Sequence, residues 1–132
     1  MKKEVGLWID HRQAVIVTFV DRVEEIKRIV SGIEKYVAHP GITHRAHDDT
    51  TEVRRDRQDR RFDDYLSKYY AEVIAWIRDA DSILIIGPGE AKGELQKQLE
   101  GQALNDRIVS VETSDRMTEG QVAAKVREYF QG

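Results

Sequence analysis

Apolar positions change their period along the chain, and the change divides it into elements. "EVGLWID" (4–10) and "QAVIVTFV" (13–20) are rich in Val, Ile, Trp and Phe and are short, as strands are. "DHR" between them reads as a turn. Val23 to Val30, "VEEIKRIV", alternates, with Ile26, Arg28 and Val30 on one side and Glu25, Lys27 and Ile29 on the other, after "DR" at a second tight turn. The opening of the chain therefore predicts an antiparallel meander. From Phe62 the period lengthens: Phe62, Tyr65, Leu66, Tyr69, Val73, Trp76, Ile77 and Ala80 recur at three- and four-residue steps, the stripe of a long helix. Its stripe predicts that Tyr69, Val73, Trp76 and Ile77 are buried. Tyr69 and Tyr70 are adjacent, so the same stripe predicts one of them at the surface.

Ile83 to Ile86 is an apolar run between polar Asp81-Ser82 and a glycine turn, as in a central strand covered on both faces. A shorter helix is expected over Glu90 to Glu100 and a last strand over Arg107 to Val111. Thr118-Glu119-Gly120-Gln121 is a capping box, with Met117 and Val122 spaced as a hydrophobic staple, opening a final helix that carries Val122, Val126, Tyr129 and Phe130. The order predicts an α/β fold: an antiparallel meander, then parallel strands joined by crossovers, in a mixed five-stranded sheet with three helices. Residues 31–61 show no clear core pattern.

Composition narrows the picture. The 132 residues, 40% hydrophobic, suffice for one domain with a core, residues 1–132. Net charge is −3 with 34% charged residues of both signs spread throughout, so any nucleic-acid surface must be local. Cysteine is absent, which excludes disulfides, thiolate metal sites and a Cys nucleophile. No apolar stretch reaches signal-peptide or membrane-spanning length, and a soluble, cytoplasmic, unprocessed protein without membrane association is expected.

The stretch "SILIIGPGEAKGEL" (82–95) raises the question of phosphate binding. A P-loop needs Gly-Lys in that order, and here Lys92 precedes Gly93; the dinucleotide fingerprint needs a glycine where Lys92 stands. Glu90 at the helix start suits the helix dipole and would repel phosphate. The turn reads as structural, and no cofactor is expected. The same stretch resembles the strand, turn and helix of the middle domain of eukaryotic and archaeal class-1 release factors and of Pelota. "LWIDHRQAVIV" is similar to that domain's opening hairpin, with Asp10 at its turn. "RRFDDYLSKYYAEVIAWI" is similar to its long helix, and "IVSVETSDRMTEGQVAAKVREYF" to its closing strand and helix. The order and spacing agree over nearly the whole chain. The resemblance implies a ribonuclease-H-like, translational-machinery-component fold and the ribosome, ribosomal RNA or tRNA as partner, in a stand-alone relative of bacterial type.

In the release factors the loop before the long helix carries Gly-Gly-Gln, which frees the nascent chain. The matching segment here, His39 to Arg61, has no such tripeptide; Gly101-Gln102 and Gly120-Gln121 fall elsewhere. The resemblance thus implies binding without peptidyl-tRNA hydrolysis, as in Pelota, which also lacks the tripeptide. His39, His44 and His47 with Asp48 and Asp49 do not have the spacing of a metal signature. His44, Arg45, His47, Arg54, Arg55, Arg57 and Arg61 are the candidate RNA-contacting residues, because a guanidinium offers a fork of donors to phosphate. The competing reading is ordinary pairing on a solvated helix extension beginning near Thr51 or Glu52, since Asp56 and Arg60, Arg55 and Asp59, and Arg60 and Asp64 stand at i,i+4.

Two other function classes remain open. A metal-dependent nuclease would use Asp10 at the end of the first strand, with Glu90 recruited, although Asp10 reads equally well as a turn residue. A protein-interaction module or oligomer would use the tyrosines and Trp76 of the long helix. The sequence leaves oligomeric state undetermined.

Overall fold

The computed structural model describes residues 2–32 and 51–131, the backbone alone for 51–62. Strands β1 (Lys3–Ile9), β2 (Gln13–Val20) and β3 (Val23–Val30) form the antiparallel meander. The second turn is two residues long: Asp21 and Arg22 have φ of 50° and 70°, and Val20 pairs with Val23. Positive φ at both central residues matches the right-handed twist of the strands it joins. Helix α1 (Thr51–Ile77) begins where the sequence places the extension. It is followed by β4 (Ser82–Gly87), helix α2 (Ala91–Gly101), β5 (Ile108–Thr113) and helix α3 (Glu119–Gln131). The sheet order is β3-β2-β1-β4-β5, with β4 parallel to both β1 and β5.

This mixed α/β sheet places β1 at the centre, with an antiparallel neighbour on one side and a parallel one on the other. Helices α1 and α2 cover one face through Val5, Leu7, Ile9, Ile16, Ile83 and Ile85; α3 covers the other through Trp8, Val15, Val17, Leu84 and Ile86. All four apolar residues of β4 are 0% exposed, as a strand covered on both faces requires. Gly6 lies beneath Val126 of α3, and a Cβ there would overlap its side chain; a Cβ on Gly87 would overlap the Ile9 carbonyl oxygen. Both glycines are therefore demanded by close approach.

Helix α3 opens as a reciprocal capping box. The Thr118 backbone N–H donates to Gln121 Oε1 at 2.9 Å, and the Gln121 N–H donates to Thr118 Oγ1 at 3.1 Å. The C-terminal end of α1 is closed by Arg107, whose Nη1 donates to the carbonyls of Arg78 and Ala80 at 2.6 and 3.1 Å. A cation there satisfies terminal carbonyls and complements the negative end of the helix dipole.

The expected stripe of α1 is buried at Leu66, Tyr69, Val73, Ile77 and Ala80 but is widened toward one side and does not include Trp76. Leu66, Tyr69, Tyr70, Val73, Ile74 and Ile77 are buried, whereas Trp76 is 45% exposed. The reason is the second helix on the same face: Tyr70 turns toward Glu94 of α2, Ile74 joins the same core, and Trp76 is left over the sheet's edge. There Lys27 Nζ of β3 lies 5.1 Å from its ring centroid, a cation–π arrangement. Both adjacent tyrosines are buried at 2% exposure, so the expectation that one would be exposed does not hold; they flank the stripe, and each hydroxyl has a partner.

Candidate functional site

The polar chemistry of the fold gathers where β1 ends. Asp10, the first residue past that strand, accepts the backbone N–H groups of Arg12 and Gln13 on Oδ1, each at 2.8 Å, while its own N–H donates to the Gln13 carbonyl at 3.0 Å. A short acidic side chain bonding its own turn is the ordinary device for tightening such a connection. The turn then sends His11 to one face of the sheet and Arg12 to the rim of a hollow that also holds Arg28 and Arg116.

On the face covered by α1 and α2, Glu94 is the centre. Its Oε1 accepts a 2.6 Å hydrogen bond from the Tyr70 hydroxyl and lies 3.0 Å from His11 Nε2. The neighbouring Tyr69 hydroxyl donates to the Asp10 carbonyl at 2.9 Å. Burial pushes the Tyr70 pKa well above its ordinary value, and its bond to Glu94 pushes the same way. Burial also raises Tyr69, with the charges of Asp10 and Tyr70 adding to it. Both hydroxyls therefore remain protonated donors at neutral pH. Glu94 thus ties the first turn of α2 to α1 and to the β1–β2 turn.

The glycine turn before α2 closes on itself. Lys92 Nζ donates to the Gly89 carbonyl at 2.6 Å, so the one lysine of this stretch is engaged within its own turn. Among the described residues no three His, Asp or Glu side chains gather as metal ligands.

Of the residues read from sequence as RNA-contacting, His44, Arg45 and His47 lie outside the described residues. Arg54, Arg55, Arg57 and Arg61 fall on the first three turns of α1, where the backbone is helical. Helix residues 51 to 68 precede Tyr69, which meets the β1–β2 turn. At ~1.5 Å per residue that is a length of about 27 Å. His11, Glu94, Arg28 and Arg116 carried no sequence signal as a site, because each belongs to a different element. Arg28, flanked on its side of β3 by Ile26 and Val30, was the nearest thing to one.

The topology defines a class: a mixed five-stranded α/β sheet in which an antiparallel meander precedes parallel strands. No family model matches the chain, and no curated protein matches it by sequence. Solved structures do match. The crystal structure of Pelota from Thermoplasma acidophilum aligns over 97% of this chain with a TM-score of 0.58 and 14% identity. Pelota from Archaeoglobus fulgidus aligns over 96% with a TM-score of 0.53 and 12% identity. An archaeal translation termination factor aligns over 98% at a TM-score of 0.49 and 14% identity. The chain spans about a third of those Pelota chains, 32% and 31% of their lengths. At such identities the likeness is one of fold.

Proposed function

We propose that this protein works in translation, as a non-catalytic domain that contacts the ribosome or its RNA. The observation that carries the reading is the likeness of fold to Pelota over 97% of the chain. It is supported by the agreement in order and spacing of the sequence segments with the release-factor middle domain. The chain contains no Gly-Gly-Gln, so the release factors' route to peptidyl-tRNA hydrolysis is no part of this reading. The first turns of α1, with Arg54, Arg55, Arg57 and Arg61, and the segment before them, with His44, Arg45 and His47, are the proposed contacts. Among the described residues no helix is long and apolar enough to cross a membrane. A ribosomal role would place the protein in the cytoplasm.

Sedimentation of cell lysate through a sucrose gradient at low salt tests the proposal. Co-migration with ribosomal particles, lost as salt is raised, is the expected result; recovery only in the ribosome-free fractions at low salt overturns it. A second reading, self-association, is favoured by edge strand β3, on one face of which Ile26 and Val30 are 43% and 62% exposed. Light scattering over a concentration series decides it, since a monomer throughout removes that reading.

A further inference from the structure

On the α3 side of the sheet, three arginines from three separate elements meet at one hollow. Arg12 comes from the β1–β2 turn, Arg28 from β3 and Arg116 from the loop before α3; with Asp10, Gln13 and Val30 they line a space of about 380 Å³. A second space of about 400 Å³ adjoins it, sharing Gln13, Arg28 and Arg116 and continuing to Met117, Thr118 and Glu119. The two form an open groove along the surface.

What sets these arginines apart is that three of them, from three elements, line one hollow without a carboxylate partner among the described residues. Elsewhere on this net acidic chain Lys3 pairs with Asp79 at 2.6 Å, Arg127 with Glu24 at 2.7 Å and Lys125 with Glu112 at 3.3 Å, while Lys92 and Arg107 donate to backbone carbonyls. Among the described residues no carboxylate pairs with the guanidinium of Arg12, Arg28 or Arg116. The acid of the first hollow, Asp10, accepts two backbone N–H groups of its turn, and Thr118 and Gln121 in the second are occupied with each other. Among the described residues Glu119 is the one carboxylate lining the second space, beside Arg28 and Arg116.

We propose that this groove seats the phosphate backbone of RNA, with Arg12, Arg28 and Arg116 each facing a phosphate. Guanidinium forks pair with phosphate oxygens in a planar, bidentate manner. No aromatic side chain lines either hollow, so nothing described there stacks on a base. A groove with spaced cations and no base platform suits a polymer of repeating charge, gripped without regard to sequence. The choice of RNA over other polyanions rests on the translational reading above; the geometry of the groove does not.

The test titrates the full chain into a fluorescein-labelled U20 RNA and a labelled RNA hairpin by anisotropy, from 50 to 200 mM KCl. Arg28→Gln with Arg116→Gln is expected to weaken binding at least tenfold at 100 mM. It should also reduce the slope of log affinity against log salt by about 1.4 to 1.8, from ~0.7 to 0.9 for each phosphate no longer neutralised. Arg28→Lys with Arg116→Lys should retain most of the slope while losing part of the affinity. A control with equal loss of charge elsewhere, Arg22→Gln with Lys97→Gln, should bind as the parent does. Thermal unfolding of each variant shows that it is folded. The proposal is overturned if the Arg28/Arg116 variant keeps the parent's slope and affinity, if the charge control weakens binding equally, or if the parent binds anionic lipid vesicles but neither RNA. Binding to RNA through the groove without ribosome sedimentation would remove the translational reading and leave the groove standing. Sedimentation unaffected by the arginine changes would do the reverse.

Discussion

Trp8 is 1% exposed and donates its indole N–H to the Asp115 carbonyl at 3.0 Å, whereas Trp76 is 45% exposed beside Lys27. Replacement by Ala should separate them. Trp8→Ala removes a filled core position and its hydrogen bond, at a cost of about 3–5 kcal/mol. Trp76→Ala forfeits roughly half of a ~200 Å² burial at ~25 cal/mol per Å², about 2–3 kcal/mol. Urea unfolding of both variants checks the order, and a larger loss for Trp76 would contradict its place outside the stripe. Tyr69 and Tyr70 supply a pH test. Their folded pKa values lie above the ordinary 10.0, so the fold holds their protons more tightly than the unfolded chain does. Their contribution is complete below about pH 10 and is lost as pH rises beyond it. The urea midpoint should fall from pH 9 to 11, and fall less in the Tyr69→Phe/Tyr70→Phe double variant. Parallel curves would mean that the hydroxyls are not held as described.

At the scale of elements, the β2–β3 hairpin carries an identifiable strain. Both Asp21 and Arg22 occupy positive φ, where a side chain other than glycine's is disfavoured. Arg22→Gly should therefore stabilise the protein by about 0.5–1 kcal/mol, the relief of the left-handed conformation exceeding the added freedom of the unfolded chain. A fall in the thermal midpoint would show that the Arg22 side chain makes up for its backbone. The ends of α1 and α3 show two ways of closing a helix. The α3 box is local and was readable as Thr118 followed three residues later by Gln121. The α1 closure comes from Arg107, far along the chain, and no window of sequence contains both parts.

At the scale of the whole molecule, β1 contributes Val5, Leu7 and Ile9 to one core and Trp8 to the other, so the two cores share a strand. The described sheet should consequently unfold in a single transition, with Trp fluorescence and far-ultraviolet circular dichroism coincident. Gly87→Ala, which sets a methyl group against the Ile9 carbonyl where the two central strands end, should lower that transition as a unit. Two separated transitions would show the cores to be independent. The sequence alone determined what rests on near neighbours: the alternation of the meander, the buried run of β4, the helical period from Phe62 and the box of α3, because period and capping involve residues a few positions apart. The stripe of α1 was legible in Leu66, Tyr69, Val73, Ile77 and Ala80, but tertiary structure alone decided that Tyr70 and Ile74 join it and Trp76 does not, because α2 packs on the same face and Glu94 takes the Tyr70 hydroxyl. It also decided that Glu94 meets His11 and that Arg12, Arg28 and Arg116 share a groove, since residues distant in sequence become neighbours only when the strands take the order β3-β2-β1-β4-β5.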